Sequence, residues 1–139
     1  MTRLDPAEAR RRFARAPVAR LATADGDGVP HAVPVCCALE GDRVWFAIDH
    51  KPKTTWDLRR LRNIRENARV CLLADHYAED WSTLWWARAD GMAEIVEVPE
   101  GRAHPLALLR AEYAQYRART PEGPLVAVTV TRWSGWAAS

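Results

Sequence analysis

Lysine is almost missing from this chain: eighteen of its twenty basic residues are arginines, and the two lysines, Lys51 and Lys53, stand one residue apart. Long apolar runs are missing too. Nothing reaches the roughly twenty residues that cross a bilayer, and the N-terminus mixes arginines and acids with no apolar signal core, so a cytoplasmic protein without membrane contact is expected. Cysteine is scarce and odd in number. Cys36, Cys37 and Cys71 contain no C-x-x-C pair, which argues against a disulfide framework or zinc site and for small buried residues in strands. The chain has no G-x-S-x-G elbow, no H-E-x-x-H pair, no P-loop and no G-x-G-x-x-G, so the commonest nucleophile, metal and phosphate signatures are excluded. His31, His50, His76 and His104 are scattered and imply no metal site. A net charge of +2 does not support nucleic-acid binding.

What is present is an ordinary soluble composition, 48% apolar and 27% charged over 139 residues. That length predicts one domain over residues 1–139, with no room for separate cofactor and substrate lobes. Asp5-Pro6-Ala7-Glu8 places an acid at the N-cap, proline at the first helical position and glutamate three residues after the cap, predicting a helix from Pro6 to about Ala16. Val18–Thr23 and His31–Leu39 read as a hairpin around Asp25-Gly26-Asp27-Gly28, followed by a strand from Arg43 to Ile48. Thr54 or Thr55 can cap a helix ending near Asn67, and Val70–Ala74 is a short strand. Thr83–Ala89 and Met92–Val98 form an expected hairpin at Asp90-Gly91. A helix from about Arg102 to Arg119, with Leu106, Leu109, Tyr113 and Tyr116 on one face, and an alternating strand from Leu125 to Trp133 complete the pattern. Six or seven strands with inserted helices predict a mainly β fold, a closed or nearly closed antiparallel barrel.

The lysines lie between a strand-like and a helix-like run, where an anion can meet backbone N–H groups. A compact ammonium there suits a phosphate as a point charge, without the planar fork that a guanidinium imposes. A solvated surface turn is the alternative. The arginine cluster Arg59, Arg60, Arg62, Arg65 and Arg69 follows directly. Seven tryptophans, with Trp81, Trp85 and Trp86 close together, fit core and interface packing or a flat wall for a planar ring.

In order and spacing, Ala19-Arg20-Leu21-Ala22-Thr23, Gly28-Val29-Pro30-His31, Val44 to Ile48, Lys51 to Leu58 and Arg132-Trp133-Ser134-Gly135-Trp136 resemble the split β-barrel superfamily of flavin and deazaflavin oxidoreductases. This superfamily includes pyridoxamine-phosphate oxidases, and the chain is most similar to its small members that bind the deazaflavin coenzyme F420. The resemblance covers nearly the whole chain. It implies a mainly β, FMN-binding-type split barrel and a homodimer whose clefts are lined by both subunits. It also implies an F420-dependent reductase passing a hydride to a small conjugated or quinone-like acceptor, with FMN as the alternative cofactor and a non-catalytic F420 or haem binder as the alternative role. Lys53, assisted by Lys51, would hold the cofactor phosphate. Pro34, Val35 and Cys36 would face the ring through backbone atoms, Ile48, Asp49 and Thr54 would line the path from ring to phosphate, and Trp85 would come from the second chain. Asp57 stands where the family usually has asparagine. No catalytic acid or base is assigned, because the cofactor itself carries the hydride.

Overall fold

The computed structural model describes residues 2–48 and 58–139. Eight strands form one antiparallel sheet: β1 (Thr2–Leu4), β2 (Ala19–Ala24), β3 (Pro30–Val35), β4 (Cys37–Glu40), β5 (Arg43–Ala47), β6 (Arg69–His76), β7 (Trp85–Val96) and β8 (Leu125–Ala137). Among the described residues four α-helices, α1 (Pro6–Arg15), α2 (Arg59–Glu66), α3 (Ala103–Glu112) and α4 (Ala114–Ala118), are inserted between them. The strand order is β3-β2-β6-β7-β8-β5-β4, with β1 added alongside β8. None of the described helices is long and apolar enough to cross a membrane.

The sheet order contains the fact that shapes the molecule. β3 and β4 occupy opposite edges, yet only Cys36 separates them in sequence. Laid flat, the six steps between those edges would cover about 29 Å at the usual strand spacing. Two residues of extended chain reach only about 7 Å. The sheet therefore has to curl until its edges meet, giving a mainly β half-barrel. β3 suits an edge because Pro30 and Pro34 each lack an N–H to give to a ladder.

Alternation then sorts the side chains. Leu21, Val44, Phe46, Leu72, Ala87, Ala89, Val126 and Val128 point into one buried core, closed by Ala9 and Phe13 of α1 and Leu61 and Ile64 of α2. A smaller cluster of Ala38, Leu109, Tyr116 and Leu125 lies where α3 and α4 cover the sheet from outside. The first four residues of β8, Leu125 to Val128, are consequently buried on both faces.

Helix α1 starts as expected: the Asp5 carboxylate accepts from the Glu8 N–H at 2.8 Å, and Pro6 opens the first turn. The Asp25–Gly28 turn also forms, with Asp25 Oδ1 accepting from the N–H groups of Asp27 and Val29, both at 2.9 Å. Three expectations are corrected. The single strand over His31–Leu39 is two strands, broken at Cys36 where the chain changes edges. The single helix from Arg102 to Arg119 is two, because Tyr113 is extended (φ −125°, ψ 119°). The hairpin at Asp90-Gly91 is one continuous strand, β7, facing a bulge in β8. Positive φ, which a tight hairpin turn demands, occurs at Gly28 (82°) and Gly41 (61°) but not at Gly91. The register instead jumps from Asp90↔Arg132 to Gly91↔Val130, leaving Thr131 as the extra residue. Its hydroxyl donates to the Asp90 carbonyl at 3.1 Å.

Glycine is required at that bulge because a Cβ on residue 91 would lie 2.3 Å from the Thr129 carbonyl oxygen. Backbone cannot yield as a flexible side chain would. Gly91→Ala is therefore expected to cost about 2 kcal/mol or more, the scale of core overpacking. Urea unfolding measures it, and an unchanged midpoint would refute the close approach.

Candidate functional site

A cavity of about 280 Å³ opens where the sheet edges meet, lined by Val18, Pro34, Val35, Cys36, Ala47, Arg60 and Tyr116. Its parts come from different elements. Val18 precedes β2, Pro34 to Cys36 form the end of β3 and the crossover, Ala47 ends β5, Arg60 lies in the first turn of α2, and Tyr116 comes from α4. Strand β3 pairs only with β2 among the described strands, so its outer backbone edge carries no ladder. Pro34 can offer a carbonyl there but no N–H.

Each flank is held by a specific contact. The Ile48 N–H donates to the Pro124 carbonyl at 3.0 Å. The loop bearing Pro124 is gripped in turn by Arg102, whose guanidinium donates to the carbonyls of Gly123 (3.0 Å) and Pro121 (3.2 Å). Helix α2 is locked to β2 through Asn63, whose side-chain amide donates to the Thr23 hydroxyl at 3.0 Å in the interior. That bond fixes the helix carrying Arg60. A third contact lies behind the crossover. The Tyr113 hydroxyl accepts from the Cys37 N–H at 3.0 Å, and it sits 2.8 Å from the Cys37 carbonyl and 3.0 Å from that of Pro17.

Pro34, Val35 and Cys36, named from the sequence as facing a ring, do line one cavity. Ile48 is buried in the core directly after cavity-lining Ala47. Asp49, Lys51, Lys53 and Thr54 lie outside the described residues, as does the helix cap assigned to Thr54 or Thr55; the described helix starts at Arg59. Trp85 packs toward the core beneath the Arg12 guanidinium, which is 5.8 Å from its ring, and is not brought to the cavity. Its neighbour Trp86 faces the other side of β7, lining a groove of about 460 Å³ with Arg3, Arg88, Arg132 and Trp136. The three cysteines are half-buried, and Cys36 belongs to the crossover instead of a strand.

Sequence reading did not single out Val18, Ala47, Arg60 or Tyr116. Arg60 had a signal, since it belongs to the arginine cluster just after the lysine pair. Tyr116 lies on the packed helix face that its spacing predicts. Val18 and Ala47 carry no chemical signature, and only the curl of the sheet brings them together.

These features define a split β-barrel with a small, partly apolar cavity at its seam, lined in part by Arg60. The chain belongs to the pyridoxamine 5′-phosphate oxidase family, whose sequence pattern matches residues 6–137. Similar solved structures include a FAD-binding protein of Mesorhizobium loti (20% identity, TM-score 0.73), covering 96% of this chain and 95% of that one. A conserved hypothetical protein of Mycobacterium tuberculosis is similar over 97% of this chain and 86% of its own (21% identity, TM-score 0.76). The haem storage protein HutZ of Vibrio cholerae is also similar, over 96% and 95% (15% identity, TM-score 0.72). At such identities the likeness shows the fold alone. No curated protein matches the chain by sequence.

Two measurements test the supports of the cavity. Asn63→Ala strips a buried hydroxyl of its donor and is expected to cost about 1–3 kcal/mol by chemical denaturation; a neutral effect would mean the pair does not anchor α2. The Cys37 thiol is pushed up from an ordinary 9.0 to about 12, by burial first and then by Cys36 and Glu112. Tyr113 is raised also, by burial and then by Cys37. As pH rises past 9 the unfolded chain releases the Cys37 proton while the folded chain keeps it, so stability is full below that point and falls towards pH 12. Melting temperatures across that range should drop, and Cys37→Ala should make the slope shallower. Identical slopes in both proteins would remove Cys37 as a cause.

Proposed function

We propose that this protein is an oxidoreductase that binds a flavin-type cofactor at the seam cavity, with coenzyme F420 as the preferred cofactor and FMN as the alternative. One observation carries the reading: Ala47 and Arg60, which flank residues 48–59 in sequence, both line the cavity that also contains Pro34, Val35 and Cys36. The described residues on either side of the stretch bearing Lys51 and Lys53 thus meet at the cavity, which supports assigning that stretch to the same site. Family membership supports a phosphate-bearing ligand. The lining suits one too. Val18, Val35 and Ala47 give apolar walls, and the Arg60 guanidinium supplies a cation for a phosphate or carboxylate.

In this reading Lys53, assisted by Lys51, neutralises the cofactor phosphate. Pro34, Val35 and Cys36 support the ring with their backbone, Ile48, Asp49 and Thr54 mark the route between the two, and Val35 and Ala47 keep water from the ring face. The reduced cofactor supplies the hydride, which passes to a small conjugated or quinone-like acceptor; the protein contributes binding, orientation and electrostatics. A cavity of about 280 Å³ is at the lower limit for a cofactor-sized ligand. We therefore take the working unit to be a homodimer in which a second copy closes the cleft. Trp85, packed inward, is poorly placed for that role, and the outward groove of Trp86, Arg88 and Arg132 is the better candidate surface.

The deciding measurement is a fluorescence titration of the purified protein with F420 and, separately, with FMN. Micromolar or tighter F420 binding with weak FMN binding is expected, and Lys53→Ala should raise the F420 dissociation constant about tenfold, the scale of a charge-assisted contact. Preference for FMN would move the protein to the flavin branch, unchanged affinity in the variant would unseat Lys53, and binding of neither would refute the reading. Tight binding without oxidation of the reduced cofactor by any of a broad acceptor panel would make the protein a carrier.

A further inference from the structure

We propose that Tyr113 is a positioning residue for the seam cavity: its hydroxyl holds the crossover from β3 to β4 in the shape that the cavity floor requires. The need arises from topology. Inside a sheet, neighbouring ladders fix a strand end, but β3 and β4 are the two edges and share no ladder. At their junction no shared ladder sets the path of the backbone.

Tyr113 supplies that partner from outside the sheet. Its hydroxyl accepts from the Cys37 N–H (3.0 Å) and lies within donating distance of the Cys37 (2.8 Å) and Pro17 (3.0 Å) carbonyls. Cys37 adjoins Cys36, and Pro17 adjoins Val18; Cys36 and Val18 both line the cavity. One oxygen therefore ties two separate stretches of the lining from behind. The helical segment is interrupted at this point: Tyr113 is extended between α3 and α4, and the helix that resumes at Ala114 carries Tyr116, whose ring meets that of Tyr113 edge-on at 5.6 Å and which lines the cavity itself. Tyr113 keeps its own backbone bonds, its N–H to the Leu109 carbonyl and its carbonyl from the Arg117 N–H; the Arg117 guanidinium serves the Arg110 and Ala111 carbonyls, and the break gains a brace across the seam.

This role rests on the cofactor reading of the cavity, but its mechanical half can be tested without any cofactor. Tyr113→Phe removes one oxygen and keeps the ring. In ligand-free protein, maleimide labelling read by mass spectrometry compares Cys36 with Cys71, which lies in β6 away from the seam. Labelling of Cys36 should rise about threefold or more relative to Cys71, as expected of local opening, and the F420 dissociation constant should rise about tenfold. Arg117→Ala is the control. Arg117 bridges the same helix break by donating to the Arg110 and Ala111 carbonyls (2.7 and 3.2 Å) and makes none of the hydroxyl's contacts at the seam. It should leave the Cys36 to Cys71 ratio unchanged.

An equal rise at Cys71, a similar change in Arg117→Ala, or an unaltered ratio in Tyr113→Phe would overturn the proposal. Amide exchange in the wild type gives a check that does not depend on any variant folding: the Cys37 N–H should exchange as slowly as the ladder amides of β4 and β5, and rapid exchange would overturn the brace. If the wild type binds neither F420 nor FMN, the cofactor reading fails and the labelling ratio alone decides the role of Tyr113.

Discussion

One covalent fact organises this protein. Two strands at opposite edges of a seven-strand path are joined through a single residue, Cys36, so the sheet must roll up to let the chain connect. Side-chain packing follows from the roll. The concave face encloses Leu21, Phe46, Leu72 and Val128, and the helices cover what the curl leaves open. Hydrophobic burial supplies the energy of such a core, but it is non-directional and would accept other arrangements of the same strands. The short connection excludes most of them.

The same constraint creates the cavity. Edge strands that meet without pairing leave backbone groups outside any ladder, and the surrounding elements supply apolar side chains and one guanidinium around the gap. Polar contacts hold this region in place at several points: Asn63 to Thr23 for the helix, Ile48 to Pro124 for the end of β5, and Tyr113 for the crossover. The buried bond of Asn63 to Thr23 is the costliest of these to break, since the group left behind loses both its partner and water. The site is therefore a consequence of incomplete barrel closure, stiffened where closure fails.

Much of the fold was legible in the chain because its signals are local. Asp5-Pro6-Ala7-Glu8 marks a helix start through backbone groups within one turn, and Asp25-Gly26-Asp27-Gly28 satisfies its own turn. The aromatic and β-branched residues of Arg43–Ala47 and the alternation in Leu125–Trp133 suit the pleated surface of a sheet. Expectation failed where a local signal had two meanings. Asp90-Gly91 reads as a hairpin turn, yet Gly91 serves a close backbone approach inside a long strand. Tyr113 sits on a helical stripe, yet breaks the helix because its hydroxyl is engaged across 76 residues of sequence by Cys37. Pro34, Val35 and Cys36 were found through family resemblance; Val18, Ala47 and Tyr116 become neighbours of theirs only through folding.

The sequence by itself determined the mainly β class, the helix and turn starts, the missing hydrolase and metal signatures, and the unusual lysine pair, since each depends on residues within a few positions of one another. Tertiary structure alone decided that one strand is two, that one hairpin is a continuous strand facing a bulge, that Trp86 and not Trp85 faces outward, and that Arg60 joins the crossover in one cavity. Those outcomes depend on which distant segments the curl of the sheet brings within contact, and no local pattern of side chains encodes that distance.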